Sequence, residues 1–419
     1  MSITVTKEES LAYHEFPKPG KLGIEVTVPF TSQKDLALAY TPGVANPCLE
    51  IEKDPANAFK YTAKKNLVAV ISNGTAVLGL GDIGALASKP VMEGKSILFK
   101  KFSAIDSFDI EVDEKDPAKF CEIVEAISPT FGGINLEDIS APTCFEIEKR
   151  LVQSLDIPVM HDDQHGTAII SSSGLLNAAE IFNKELKDMK IVVVGAGAAA
   201  ISCARMYRVL GVENIIMLDS KGVIHNGRDN LNEFKKEFAI DEDLTQTEAF
   251  TNADMVLGLS SPGSFTKEDI SVMSDTPIVF ALSNPTPEVF PDEVKEVKPN
   301  AIVGTGRSDF HNQVNNVLGF PFIFRGSLDV QATEINMEMK KAAAFAIADL
   351  AKKDVTEHVR EIFGDLSYGK EYIIPKPFDK RLMIDVSSAV AKAAVETGVA
   401  RVSEFDYEGY REDLSNMLG

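Results

Sequence analysis

Cysteine is scarce in this 419-residue sequence, and Cys48, Cys121, Cys144 and Cys203 are scattered with no CxxC pair. That scatter excludes a disulfide framework or a cysteine zinc cluster and fits a reducing compartment. Long apolar runs are missing as well. The stretch IVVVGAGAAAISCA, between Lys190 and Arg205, is too short to span a bilayer and is broken by glycines. The first residues, MSITVTKEES, have no apolar signal core, so a cytoplasmic protein without a membrane partner is expected. Basic residues are outnumbered 42 to 63, a formal net charge of −21, which sets the chain against nucleic acid. An anionic small substrate stays possible, because local cations or a bound metal can dominate one pocket. No internal repeat or low-complexity linker separates the parts.

What is present is ordinary globular composition, with 44% hydrophobic and 25% charged residues, in a chain long enough for two or three domains. Residues 1 to about 60 mix helix and loop signals, punctuated by Pro17, Pro19, Pro29, Pro42 and Pro47. In NLVAVISNGTAVLGLGDIG, two β-rich runs flank Asn73-Gly74, which predicts a hairpin. A helix is expected over 117–127, a strand with a polar end in FGGINLEDIS, a helix in PTCFEIEKRLVQSL and a short strand in DIPVMHDD. From about residue 164 a helix leads into KIVVVGAG. Strands and helices then alternate through ENIIMLD, a helix near NLNEFKKEFA, ADMVLGLS, PIVFALSN and AIVGTG. Such alternation implies a parallel sheet wound on both faces. The expected class is α/β: an N-terminal α/β substrate domain (1–160), a Rossmann-like doubly wound dinucleotide-binding domain (161–385) and a helical C-terminal tail (386–419).

Two stretches match GxGxxG or its alanine variant. Gly195-Ala196-Gly197-Ala198-Ala199-Ala200 follows an apolar strand and opens a helix, and the next strand ends at Asp219, 24 positions after Gly195. That context fits dinucleotide binding, with Gly195, Gly197, Ala198 and Ala200 at the pyrophosphate turn and Asp219 on the adenosine ribose. Gly79-Leu80-Gly81-Asp82-Ile83-Gly84 lacks a following βαβ pattern and reads as a glycine-rich bend near a pocket. Asp219 favours NAD, while Ser220, Lys221, Lys235 and Lys236 just downstream suit the 2′-phosphate of NADP, so both remain open.

Two acidic pairs stand at strand ends, Glu137-Asp138 and Asp162-Asp163. Strand ends face the ligand crevice in open α/β folds. Carboxylates converging there need a cation, and oxygen donors suit Mg²⁺ or Mn²⁺. His161 and His165 are spaced i, i+4, but the glycine that follows His165 favours loop histidines or a helix cap over zinc ligands.

Taken together, LALAYTPGVANP (36–47), GLGDIG with PVMEGKSILFK (79–100), INLEDIS (134–140), MHDDQHGTA (160–168), VVVGAGAAA (192–200), ALSNPTPE (281–288) and NNVLGFPFIFRGSLD (315–329) resemble the malic enzyme family, in the family's order and across both halves of the chain. The resemblance implies oxidative decarboxylation of L-malate to pyruvate and CO₂ with NAD or NADP and a divalent metal. By position it implies Tyr40 as general acid and Lys95 as general base and substrate contact, with Asp162 as the base's partner. It implies Glu137, Asp138 and Asp163 as metal ligands and Thr167 near the cofactor. Asn284 and Asn315 would contact substrate or nicotinamide, with Asn316 an equally available neighbour. For that chemistry the Lys95 amine must titrate well below its free value of ~10.4, by burial and a nearby dication. Where longer family members carry an arginine before the GLGD stretch, this sequence has Ala76, leaving Arg307 or another subunit to grip the second carboxylate. A homodimer or higher oligomer is implied, in which the segment carrying Tyr40 can complete a neighbour's site. The competing readings are a lyase on the same scaffold, acting on oxaloacetate or converting malate to lactate, and a non-catalytic nucleotide-binding protein.

Overall fold

Two sheets organise the chain in the computed structural model, which describes residues 5–402 and 404–418. The first joins β1 (Leu67–Ser72), β2 (Asp106–Glu111), β3 (Gly133–Leu136) and β4 (Val159–His161) in the order β2-β1-β3-β4. All its pairings are parallel, and β1 and β3 are buried at every position. A parallel strand covered on both faces needs apolar residues throughout rather than an alternation.

The expected hairpin at Asn73-Gly74 does not form. β1 pairs in parallel with β2 (Leu67 opposite Asp106) and with β3 (Val68 opposite Gly133). The run after the turn makes a single bridge, Val77 to Gly81. It then leads through the glycine bend into the helix Ala85–Ser103, which crosses over to β2. The GLGDIG stretch therefore does stand inside a βαβ unit. Its distinction from the second motif is the long loop, 73–84, inserted between strand and helix.

The second sheet contains β5 (Lys190–Val194), β6 (Asn214–Asp219), β7 (Gly222–Val223), β8 (Met255–Gly258), β9 (Ile278–Ala281) and β10 (Ile302–Thr305), in the order β10-β9-β8-β5-β6-β7. It is parallel except for the edge pair β6–β7. Because β6 turns straight back into β7, the helix expected near NLNEFKKEFA shrinks to Glu233–Lys236.

Between the sheets runs the helix Asp162–Ile181, which starts directly from β4, two residues earlier than the sequence suggested. It is buried on nearly every side, and small residues make that possible. Gly174 faces Phe280 so closely that a Cβ would lie 2.7 Å from the ring. Asn177 ties the far end down, its amide donating to the carbonyls of Ala348 (2.8 Å) and Ile373 (2.9 Å). One continuous core links the sheets to the helices Phe320–Asp329, Met337–Ala351 and Arg381–Glu396. Within it Phe99 packs edge-on against Phe320 and Phe324. The N-terminal segment differs: the helices Lys7–Glu15, Gln33–Ala39 and Ala45–Lys53 bury no residue, and Ile24, Val26, Phe30 and Leu38 are exposed. Among the described residues, no helix is long and apolar enough to cross a membrane.

Candidate active site

Lys95 lies on the helix Ala85–Ser103, and its side chain is only 11% exposed. Its Nζ is 2.7 Å from Asp162 Oδ2, 2.8 Å from Glu137 Oε1 and 4.2 Å from the centre of the Phe320 ring. Burial alone would push the amine down. The carboxylates of Asp162, Glu137 and Asp163 outweigh it and raise Lys95 above its ordinary value. This is opposite to the shift a general base needs, and the reason is the unbalanced negative charge around it.

That charge is concentrated. One carboxylate oxygen from each of Glu137, Asp138 and Asp163 lies within 4.8 Å of the others. Glu137 and Asp138 follow β3, and Asp163 occupies the first turn of the helix that follows β4. Asp138 adopts a left-handed backbone conformation (φ +54°), which aspartate tolerates better than most residues. Its N–H donates to Asp163 Oδ2 at 2.7 Å, locking the two strand ends together. Glu137 Oε2 accepts from Asn135 Nδ2 at 2.8 Å. Burial and then the neighbouring Asp163 push Asp138 up to about 7. Glu137 is also raised well above the carboxylate range, by burial and by the other acids against the pull of Lys95.

These groups open into a cavity of about 560 Å³ whose wall also carries Ala76, Thr167, Gly197, Ala198, Asn284, Asn315 and Asn316. The second glycine motif thus meets the acidic cluster in one space. Gly195 has φ +118°, and a Cβ there would sit 2.3 Å from the Leu259 carbonyl, so only glycine fits this turn. Ala200 is buried behind it in the helix Ala198–Val209. Asn316, not Asn315, reaches the base's partner: its Nδ2 is 3.3 Å from Asp162 Oδ2, and its Oδ1 accepts from Thr167 Oγ1 at 3.2 Å. The Asn315 carboxamide is used locally, accepting from the Val317 N–H at 3.0 Å.

At the end of β6, Asp219 Oδ2 accepts from Arg228 Nη2 (2.9 Å) and Lys235 Nζ (2.6 Å), while Oδ1 accepts from the Lys221 N–H (2.9 Å). Burial opposes ionisation, but these donors hold the Asp219 carboxyl down at about 2. Lys235 is among the downstream lysines expected from the sequence, whereas Arg228 lies nine residues beyond Asp219 in a loop that no motif marks.

Four residues singled out in the sequence are placed elsewhere. Tyr40 caps the helix Gln33–Ala39, 69% exposed and outside the cavity wall. Arg307 bonds Asp309 (2.9 and 2.7 Å) and the Pro285 carbonyl and is not part of the cavity wall that carries Ala76. His165 sits inside a helix with Nε2 3.0 Å from Glu148 Oε2, and His161 precedes the helix with its ring buried and bonded to nothing among the described residues.

Fold and site together define the class: a dinucleotide-type sheet whose glycine turn shares a cavity with a buried lysine in an acidic cluster. The chain matches the family models "Malic enzyme, N-terminal domain" over residues 19–152 and "Malic enzyme, NAD binding domain" over residues 164–372. It belongs to the malic enzyme family. An NADP-dependent malic enzyme of Escherichia coli is 57% identical over 98% of this chain, which spans only 55% of that relative's length. An NADP-dependent malic enzyme of Halomonas elongata is 56% identical, with 94% of this chain and 95% of the relative covered. The crystal structure of malic enzyme from Pyrococcus horikoshii superposes with a TM-score of 0.90 at 41% identity, covering 98% of this chain and 95% of that one.

Proposed function

We propose that this chain oxidatively decarboxylates L-malate to pyruvate and CO₂, with NADP⁺ as the hydride acceptor and Mg²⁺ or Mn²⁺ bound by Glu137, Asp138 and Asp163. One juxtaposition carries the reading: a buried amine in contact with Asp162 and Glu137, at the wall of a cavity shared with the Gly195–Gly197 turn. The acidic triad fits a hard divalent cation. Its donors are all oxygens, and Asp138 Oδ2 is buried without a hydrogen-bond partner among the described residues.

A dication held by Glu137, Asp138 and Asp163 would supply polarisation of the malate C2 oxygen, and a nucleotide seated at the Gly195–Gly197 turn would supply the acceptor for the C2 hydride. Lys95 Nζ takes the C2 hydroxyl proton. A dication ligated by Glu137 and Asp163 would offset two of the three carboxylates that raise the amine and leave burial opposed by Asp162. Asp162, held by Lys95 and Asn316, keeps the amine aimed into the cavity. Proton delivery to C3 after CO₂ loss falls to the Tyr40 hydroxyl. No path within one subunit is on view, since Tyr40 stands exposed on a segment whose helices bury nothing. A homodimer in which this segment crosses to the partner and completes its site accounts for both facts. We further divide the chain into a malate-handling part (1–160), a nucleotide-binding part (161–385) and a helical tail (386–419), and place it in the cytoplasm, where its four unpaired cysteines suit a reducing environment.

NADP⁺ is favoured over NAD⁺ because Arg228 and Lys235 bring two positive charges to the single negative charge of Asp219. A cationic group at that position can receive a 2′-phosphate. Malate, Mn²⁺ and NADP⁺ are expected to yield NADPH and pyruvate in equal amounts. Lys95→Ala should abolish turnover with nucleotide affinity unchanged. Consumption of oxaloacetate with no NADPH or NADH from malate would overturn the proposal in favour of a lyase.

A further inference from the structure

Behind the acidic cluster, on the side away from the cavity, a second ionised group is buried. Glu148 lies on the helix Thr143–Ser154 with its side chain 13% exposed. Oε1 accepts the backbone N–H of His161 at 2.8 Å, and Oε2 accepts from His165 Nε2 at 3.0 Å. His161 is the last residue of β4 and His165 belongs to the opening turns of the next helix, so the two bonds bracket Asp162 and Asp163. The imidazole must present Nε2–H to the carboxylate, because an ionised Glu148 offers no proton. The His161 Nε2 in turn lies 3.7 Å from Asp163 Oδ2. His165, through its hydrogen bond and field, then the Lys340 ammonium and His161 outweigh burial and hold Glu148 ionised.

We propose that Glu148 is a positioning residue for the acidic cluster: by gripping the strand-to-helix junction at both ends, it fixes Asp163 toward Glu137 and Asp138 while Asp162 faces Lys95. The inference rests on the metal-dependent reading above and extends it to a side chain that touches neither substrate nor ion. The junction needs such a brace. The Asp162 and Asp163 side chains repel the acids at the end of β3, and the β3–β4 ladder stops at Leu136 opposite His161, so beyond it the two ends are joined by the Asp138 N–H to Asp163 side-chain bond. Groups that orient metal-ligating carboxylates typically change metal affinity about 10- to 100-fold when removed.

Mn²⁺ binding to the full chain, measured by calorimetry without malate, tests this. Glu148→Ala should weaken Mn²⁺ about tenfold or more, with NADP⁺ affinity unchanged. Glu148→Gln keeps an oxygen acceptor for the His161 N–H and should retain Mn²⁺ affinity to within about threefold. If Glu148→Ala fails to fold, Glu148→Asp, one methylene short of spanning both bonds, should reproduce the loss. The visible spectrum of the Co²⁺-loaded variants should shift in the same order. Equal Mn²⁺ affinity in wild type and a folded Glu148→Ala or Glu148→Asp would overturn the proposal, as would a Glu148→Gln as weak as those two. Absence of Mn²⁺ binding by the wild type would instead defeat the metal reading itself.

Discussion

Replacing Arg228 by alanine should change which nucleotide is used more than how fast the chemistry runs. The guanidinium is nearly buried. One nitrogen bonds Asp219 at 2.9 Å, and another donates to the carbonyls of Gly222 and Val223 at 3.2 and 3.1 Å. Those carbonyl bonds hold the fork at the mouth of the β6–β7 turn, where a 2′-phosphate would meet it already oriented. A hydrogen bond to a charged group contributes about 1.5–3 kcal/mol. At about 1.4 kcal/mol per tenfold, its loss corresponds to roughly a 10- to 150-fold fall in kcat/KM for NADP⁺. NAD⁺ has no phosphate there, and Asp219 is freed to accept its ribose hydroxyls, so kcat/KM for NAD⁺ should stay within about threefold. The site of chemistry is remote, so kcat at saturating NADP⁺ should change little. Lys235→Ala should act in the same direction but more weakly, since that amine is better solvated. Initial rates of malate oxidation with each nucleotide measure the ratio. An equal loss on both nucleotides, or an unchanged ratio in a folded variant, would show that Arg228 only staples the β6–β7 turn.

If Tyr40 serves the partner's site, Tyr40→Phe and Lys95→Ala, each inactive alone, should complement on co-refolding. In a twofold dimer about a quarter of wild-type activity should return; none returns if the tyrosine acts within its own chain. Gly174→Ala should destabilise the fold by about 1–3 kcal/mol in urea titration, as its methyl group would meet Phe280 and Ile374; an equal or higher midpoint would refute the close packing. Glu148, held at about 2 against an ordinary 4.5, contributes stability present above pH 4.5 and lost as pH falls toward 2. The difference amounts to roughly 3 kcal/mol, so Glu148→Gln should flatten the acid limb of the stability curve, read by circular dichroism.

The nucleotide half was readable because its signals are local. The strand before Gly195, the helix after it and Asp219 at the end of the next strand lie in one short span, and the parallel sheet follows from alternation. The hairpin at Asn73-Gly74 was misread for the complementary reason. A turn dipeptide reports how the chain bends, whereas the partners of β1 lie beyond a 19-residue helix and are chosen by burial on both faces. The acidic pairs stood out as pairs, but only packing shows that Asn316 rather than Asn315 reaches Asp162. Glu148 is one of several charges on an amphipathic helix, and nothing in that pattern says which one turns inward. Resemblance alone set Tyr40 among the reacting groups, and no local pattern in the sequence signals that it stands exposed in a single chain.

The acidic cluster has a consequence for the order in which ligands arrive. Glu137, Asp138, Asp162 and Asp163 set four carboxyl groups against one ammonium in a poorly hydrated space, so crowded that Glu137 and Asp138 are already pushed toward their neutral forms. A dicarboxylate approaching the empty pocket is repelled. A doubly charged ion held by Glu137, Asp138 and Asp163 would offset that negative charge and present a cation to an incoming carboxylate. Under the metal-dependent reading the ion would serve as a latch as well as a catalyst, and a high concentration of the acid alone should not force its way in.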